Sequence, residues 1–266
     1  MVFKPKIAPC AKTILSIKDV LEYGGESGYM AVDCSLDSKL LKLLESERKK
    51  FEEILNGNNL EVRYHCAFAD GELGHVNPSI AQASLVLFKD IIDSVQRFGA
   101  RYITVHIGLD RESENKLSWE RAVENLSELV GYGNERGVTV CLENLKTGWT
   151  SDPQLFLRLV ELSGAKVTFD IGHANSSVHA NDGGVTAVEF LESVAKHVVN
   201  AHIYEAEEPH HIAPRDLSVI GPVLERLLKT GCDWWVIELD DKEEVEHTKT
   251  LLQSFLEQYT TTGRQV

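Results

Sequence analysis

One arrangement of apolar and polar positions recurs along the chain: an apolar stripe with a 3.6-residue period, a glycine, then a short run rich in β-branched residues. From Ile80, the positions Ala83, Leu87, Phe88, Ile91, Ile92 and Val95 form such a stripe, Gly99 stops it, and Arg101 to Ile107 reads as a strand. Trp119, Ala122, Val123, Leu126, Leu129 and Val130 lead in the same way to Gly137 and the strand Val138 to Leu142. Leu155 to Leu162 leads to Gly164, and Ile220 to Leu228 leads to Gly231. The pattern predicts strands near Lys6–Cys10, Tyr29–Cys34, Leu60–Cys66, Tyr102–Ile107, Val138–Leu142, Val167–Phe169, Val198–Ile203 and Trp235–Leu239. Helical segments alternate with them, the last from Glu243 to Tyr259.

Near-continuous apolar strands separated by amphipathic helices imply a parallel sheet covered by helices, and eight such units fill a closed (β/α)8 TIM barrel. An open doubly wound sheet is the rival. It lacks its usual fingerprint, since neither GxGxxG nor GxxxxGK[ST] follows the first strand. No linker divides the chain, so residues 1–266 are expected to form one domain, with the irregular stretch Glu205 to Leu217 as an active-site loop.

Composition narrows the class further. The 266 residues are 43% hydrophobic and 26% charged, which excludes a disordered or fibrous chain. No apolar run approaches the ~18 residues of a membrane span, and Met1 to Thr13 carries three lysines and no signal-peptide core, so a cytoplasmic location is expected. Five cysteines without a CxxC pair point to reduced, packed thiols. With 27 basic against 41 acidic residues, the net charge of −14 disfavours nucleic acid as a partner. The oligomeric state is left open.

In a barrel, chemistry belongs at the C-terminal ends of strands. His106 stands seven residues after Gly99, Glu143 six after Gly137, Asp170 six after Gly164 and Glu238 seven after Gly231. His65 and His202 end two further strands, and His173 follows Asp170 by three residues. Taken alone, a histidine at a strand end is more often a hydrogen-bonded structural residue than a ligand, and Glu238 alone reads also as an N-terminal helix charge. Together, carboxylates converging on one barrel mouth repel one another unless a cation or protons intervene. The set Glu143, Asp170, His202 and Glu238 suits a divalent ion, Mn²⁺, Mg²⁺, Co²⁺ or Zn²⁺, without choosing among them.

At these residues the chain resembles the xylose isomerase-like barrel superfamily, in particular its sugar phosphate isomerase/epimerase branch. YHCAF at 64–68, FGARYITVHIG at 98–108, VCLENL, VTFDIGHAN, VNAHIYE and VIELD correspond in order to the family's strands 3 to 8. The resemblance implies a metal held by Glu143, Asp170, His202 and Glu238, with Glu143 and Glu238 also serving as the acid/base pair. His65, His106, His173 and His211 would contact substrate, and Trp149 could cover a sugar's apolar face or equally serve packing. The related endonuclease IV uses additional histidines to hold three zinc ions, and His65, His106, Glu143 and His173 match part of that set. In EEPHHIAP, His211 stands at the expected histidine of the last site, but Pro209 stands where an aspartate should be. Glu205, Glu207 and Glu208 occupy the region where ketose epimerases carry a substrate-binding arginine.

The leading expectation is a metal-dependent isomerase or epimerase that moves an α-proton on a small sugar or keto-polyol; dehydration would use the same apparatus. Zinc-dependent phosphodiester cleavage and a noncatalytic metal- or sugar-binding barrel are the alternatives. A phosphate on the substrate would meet the acidic loop EAEEP, so either the cation would have to compensate or the phosphate would have to sit elsewhere, near Lys146, Arg111 or Arg215.

Overall fold

The protein is described from a computed structural model, which covers residues 4–11, 28–36, 46, 49–50, 53, 57, 59–66, 71–108, 116–181 and 184–261. Eight parallel strands close into one barrel: β1 (Lys6–Ala11), β2 (Ala31–Ser35), β3 (Glu61–Cys66), β4 (Tyr102–Val105), β5 (Thr139–Glu143), β6 (Lys166–Asp170), β7 (Val198–Ile203) and, as the eighth barrel strand, β10 (Trp234–Ile237). They follow one another around the barrel in chain order, and β10 closes it by pairing Lys6 with Trp234 and Pro9 with Ile237. The TIM barrel expectation is met, and the open sheet is excluded because the pairing of β1 with β10 closes the barrel.

Outside the barrel lie α1 (Pro78–Arg97), α2 (Trp119–Glu135), α3 (Pro153–Ser163), α4 (Ile171–Ser176), α5 (Val178–Asn181), α6 (Ala187–Val194), α7 (Gly221–Thr230) and α8 (Lys242–Thr261). The helical segments expected between β1 and β2 and between β2 and β3, including the run Glu45 to Glu53, lie largely outside the described residues. Among the described residues, no helix is long and apolar enough to cross a membrane.

The helices start and stop for local reasons. Asn77 Oδ1 accepts from Ser79 N at the start of α1, and Asp152 accepts from Gln154 N and Leu155 N at the start of α3. Gly164 and Gly231 end α3 and α7 with φ of 76° and 77°, a left-handed conformation that a Cβ would strain. Between these ends, α1 buries Leu85, Phe88, Ile91, Ile92 and Val95 against the barrel. Each such side chain contributes roughly 1.5–3 kcal/mol on leaving water.

Strand alternation sends every second side chain into the barrel, and an unusual share of these are polar. Arg63 lies between the rings of Tyr102 and Trp234, 3.8 and 4.5 Å from their centroids, and donates to Val199 O and Asp233. Thr104 and Thr168 hydroxyls meet at 2.7 Å, with Asn200 Nδ2 at 3.4 Å from each. Two residues further along their strands stand His65, His106, Asp170 and His202. This stack is a packed floor under the C-terminal mouth.

The stretch Glu205 to Leu217, expected to be irregular, instead contains an antiparallel hairpin of β8 (Ala206–Glu207) and β9 (His211–Ile212). Its two-residue strands are too short for an alternating pattern to register in the sequence.

Candidate metal centre and active site

Glu143, Asp170, His202 and Glu238, from the ends of β5, β6, β7 and β10, offer one ligand atom each within 4.8 Å of one another. All four are buried, with Glu143, Asp170 and His202 at 0% exposure. His202 Nδ1 lies 2.9 Å from Glu238 Oε2, 3.2 Å from Glu143 Oε1 and 3.6 Å from Asp170 Oδ2. Asp170 Oδ1 accepts from His173 N at 2.6 Å as the cap of α4, while its buried Oδ2 accepts no hydrogen bond among the described residues. Three carboxylates around one imidazole, with an unbonded oxygen among them, match the donor set of a hard or borderline divalent cation. A metal fits this site.

The remaining histidines approach the same carboxylates. Glu143 Oε2 lies 2.9 Å from His106 Nε2 and 3.1 Å from His65 Nε2, and the two ring nitrogens are 3.0 Å apart. Those three residues form a second group able to hold a cation. His173 Nδ1 donates to Asn144 O at 2.9 Å, which leaves Nε2 facing Glu207 Oε2 at 3.2 Å. His211 Nδ1 donates to Glu238 O at 2.6 Å, which fixes the tautomer and orientation of its ring. His173, Glu207 and His211 make a third group. The carboxylate missing at Pro209 is thus present in space two residues earlier, on β8.

Electrostatics follow from burial and the opposed charges. Burial would raise the Glu143 carboxyl, but His202, His65 and His106 outweigh it and hold the group well below the ordinary carboxylate range. Burial would lower His202, but Glu143 and Glu238 carry it well above an ordinary imidazole. His65 is raised by Glu143 against its burial, whereas burial wins at His106 and lowers it. The two Nε2 atoms and Glu143 Oε2 thus form one close triangle, in which each ring nitrogen has the carboxylate oxygen as an acceptor. His173 is carried against its burial to about 9 by Asp170 and Glu207, and Glu207 falls to about 2 beside His173 and Lys146.

The structure therefore brings Glu143, Asp170, His202, Glu238, His65, His106 and His173 into one connected cluster, with His211 at its edge. Trp149 is not part of that network: it packs against the core with its ring 5.3 Å from Trp119 in an edge-on contact. Arg111 lies outside the described residues. Lys146 is no free surface charge, since its Nζ lies 3.3 Å from Glu207 Oε2.

Sequence reasoning passed over several contributors. Asn144 links β5 to β6, donating to Asp170 O at 2.9 Å and accepting from Asp170 N at 2.8 Å. Tyr204 stacks on His211 at 3.8 Å and 3°. Asp33 and Glu207 also stand at the site; an aspartate inside the apolar run AVDCS was the available signal for the first.

A closed barrel with this carboxylate and histidine mouth defines a class, and the family model described as the xylose isomerase-like TIM barrel matches residues 18–258. The chain belongs to that family. An uncharacterized protein of Methanocaldococcus jannaschii is 31% identical over 208 residues, covering 78% of this chain and 85% of that one. Among solved structures, a D-tagatose 3-epimerase-like protein superposes with a TM-score of 0.81 at 20% identity, over 97% of this chain and 99% of its own. Endonuclease IV from Thermus thermophilus superposes at 0.72 with 17% identity, over 96% of this chain and all (100%) of its own. At these identities the structures establish the fold alone.

Proposed function

We propose that this protein is a divalent metal-dependent isomerase or epimerase that transfers an α-proton on a small sugar or keto-polyol. The observation that carries the reading is the convergence of Glu143 and Glu238 on His202, at 3.2 and 2.9 Å from the same ring nitrogen. Two buried carboxylates converging on one point are suited to proton removal and return on a bound carbon acid. Bound at this point, Mn²⁺, Mg²⁺, Co²⁺ or Zn²⁺ would polarise a substrate carbonyl and offset the charge that develops on its oxygen.

The division of labour follows from the partners. Glu143 is held from both oxygens by four histidines, which keeps it ionised and fixed in place. Glu238, next to the hairpin carrying Glu207 and His211, is the carboxylate better placed to take the α-proton, which it then releases to solvent; Glu143 delivers the replacing proton to the substrate after receiving it from an adjoining histidine, His65 or His106. His65, His106, His173 and His211 present ring nitrogens to substrate oxygens. Trp149, held by Trp119, is the one of these candidates whose part would be to shape the mouth without polar contact.

A second reading rests on the two additional groups, His65/His106/Glu143 and His173/Glu207/His211, which extend the site to three adjoining metal positions suited to phosphodiester cleavage. The net charge of −14 opposes a polyanionic substrate.

One experiment separates them. The purified protein is stripped, reloaded with Mn²⁺ or Co²⁺ and incubated in D₂O with a panel of free ketoses and keto-polyols, and in parallel with a duplex carrying an abasic site. Deuterium in the carbon adjacent to a carbonyl, with the duplex intact, is the expected result. Incision of the duplex with no exchange into any sugar, and three tightly held zinc ions per chain, reverses the order.

A further inference from the structure

Asp33 lies on β2, set back from the rim, and takes no part in the four-residue cluster. It is 0% exposed, and among the described residues neither Oδ1 nor Oδ2 has a hydrogen-bond partner. A buried carboxylate with both oxygens unmet costs more than almost any other side-chain arrangement, so something satisfies it. Two further orphaned atoms point to what does. His65 Nδ1 and His202 Nε2 are buried without hydrogen-bond partners, and each is the ring nitrogen opposite the one that meets Glu143. A carboxylate oxygen of Asp33 and a ring nitrogen of each histidine lie within 4.8 Å of one another. None of these atoms bonds another directly, and a group so close together can share one water, which takes about three polar partners in a protein interior.

We propose that Asp33 is a positioning residue that, through one buried water shared with His65 Nδ1 and His202 Nε2, turns the opposite ring nitrogens of both histidines toward the metal centre. The inference rests on the metal-dependent reading for its purpose, and on the orphaned atoms for its existence. Both histidines would otherwise be able to flip. A histidine that donates its far N–H into a carboxylate-anchored network keeps one orientation and a more basic ligand nitrogen, and loss of such a partner typically lowers metal affinity 10–100-fold. An aspartate does this where an asparagine does so only partly, because the anion is the stronger acceptor.

The test uses the full chain with ¹⁵N-labelled histidine, first without metal and then with Zn²⁺. In the wild type, His202 Nε2–H and His65 Nδ1–H should give exchange-protected, downfield correlations. Asp33→Ala should lose or move both while leaving the His173 Nδ1–H signal, bonded to Asn144 O, where it was. Asp33→Asn keeps one acceptor oxygen and the packing volume, so it should retain both signals with smaller shifts even where the alanine variant folds poorly. The Zn²⁺ dissociation constant should rise about 10–100-fold for Asp33→Ala, less for Asp33→Asn, and non-additively when either is combined with His65→Gln. Unchanged resonances in both variants would overturn the proposal. So would a loss of affinity that adds independently to that of His65→Gln, or a second zinc equivalent that disappears with Asp33, which would put a cation rather than water at this point. Failure of every sugar in the exchange assay would remove the isomerase reading and leave these metal-free resonances to decide Asp33 on their own.

Discussion

At the scale of single residues, the proposed site asks Asp170 to coordinate and Glu143 and Glu238 to coordinate and react. Glu238→Gln keeps a neutral oxygen near His202 but removes the base. Turnover should fall by about 100-fold to 10,000-fold, the range for a positioned acid/base group, while part of the metal is retained. Kinetics and metal content measured on the same sample check this; near-wild-type activity with metal bound would dismiss the two-glutamate scheme. The cysteines make the contrasting case of ionisable groups with no access. All five are buried thiols outside any disulfide, and burial, the largest cause at each, pushes the thiols of Cys141 and Cys232 up to about 12. At pH 8 they are neutral and enclosed. A thiol reagent should therefore label Cys141 and Cys232 only after unfolding, and fast modification of either in the native protein would contradict the packing.

Between elements, the contact that sets the edge of the site is the close approach of α4 to β7. A Cβ on Gly172 would lie 1.9 Å from Tyr204 Cε2, and Tyr204 in turn stacks on His211 from β9. Gly172→Ala must push the tyrosine ring aside and with it the hairpin carrying Glu207 and His211. A loss of about 1–3 kcal/mol is expected from overpacking, with substrate KM affected more than metal affinity. Denaturant titration and steady-state kinetics read the two effects; a variant with unchanged stability and KM would show that the ring moves at no cost. This glycine is legible in FDIGHAN only as a glycine. Its reason lies in an aromatic ring some thirty positions further along the chain.

Across the whole molecule, four of the barrel strands converge on a centre that repels itself without a cation, so metal binding and folding are linked. Saturating metal should raise Tm on the order of 10 °C, and a chelator should reverse it. Binding should also release protons. His202 is held well above the ordinary imidazole range in the metal-free site and is protonated at neutral pH, so metal at Nδ1 displaces that proton. For the metal-free fold, the raised value means that the His202 contribution is full below the ordinary imidazole range. It is lost as pH rises through the raised one. For metal the sign is opposite, and affinity should fall as pH falls. Calorimetry in buffers of different ionisation enthalpy measures the release; a proton count of zero would remove His202 from the ligand set.

The eightfold alternation, the helix-stopping glycines and the placement of His106, Glu143, Asp170, His202 and Glu238 at strand ends were all readable from the chain. Each depends on local periodicity and on which residue comes where the period stops. The expected strand Val198–Ile203 coincides with β7, and the others differ by only a residue or two at their ends. What tertiary structure decided is everything that depends on separation in space. The carboxylate that joins His173 and His211 is Glu207 rather than a residue at position 209, because a two-residue hairpin folds it back over α4. Trp149 packs edge-on against Trp119. Asp33 met His65 and His202 because barrel closure aims alternate side chains of separate strands at one axis, a meeting that no spacing along a single strand encodes.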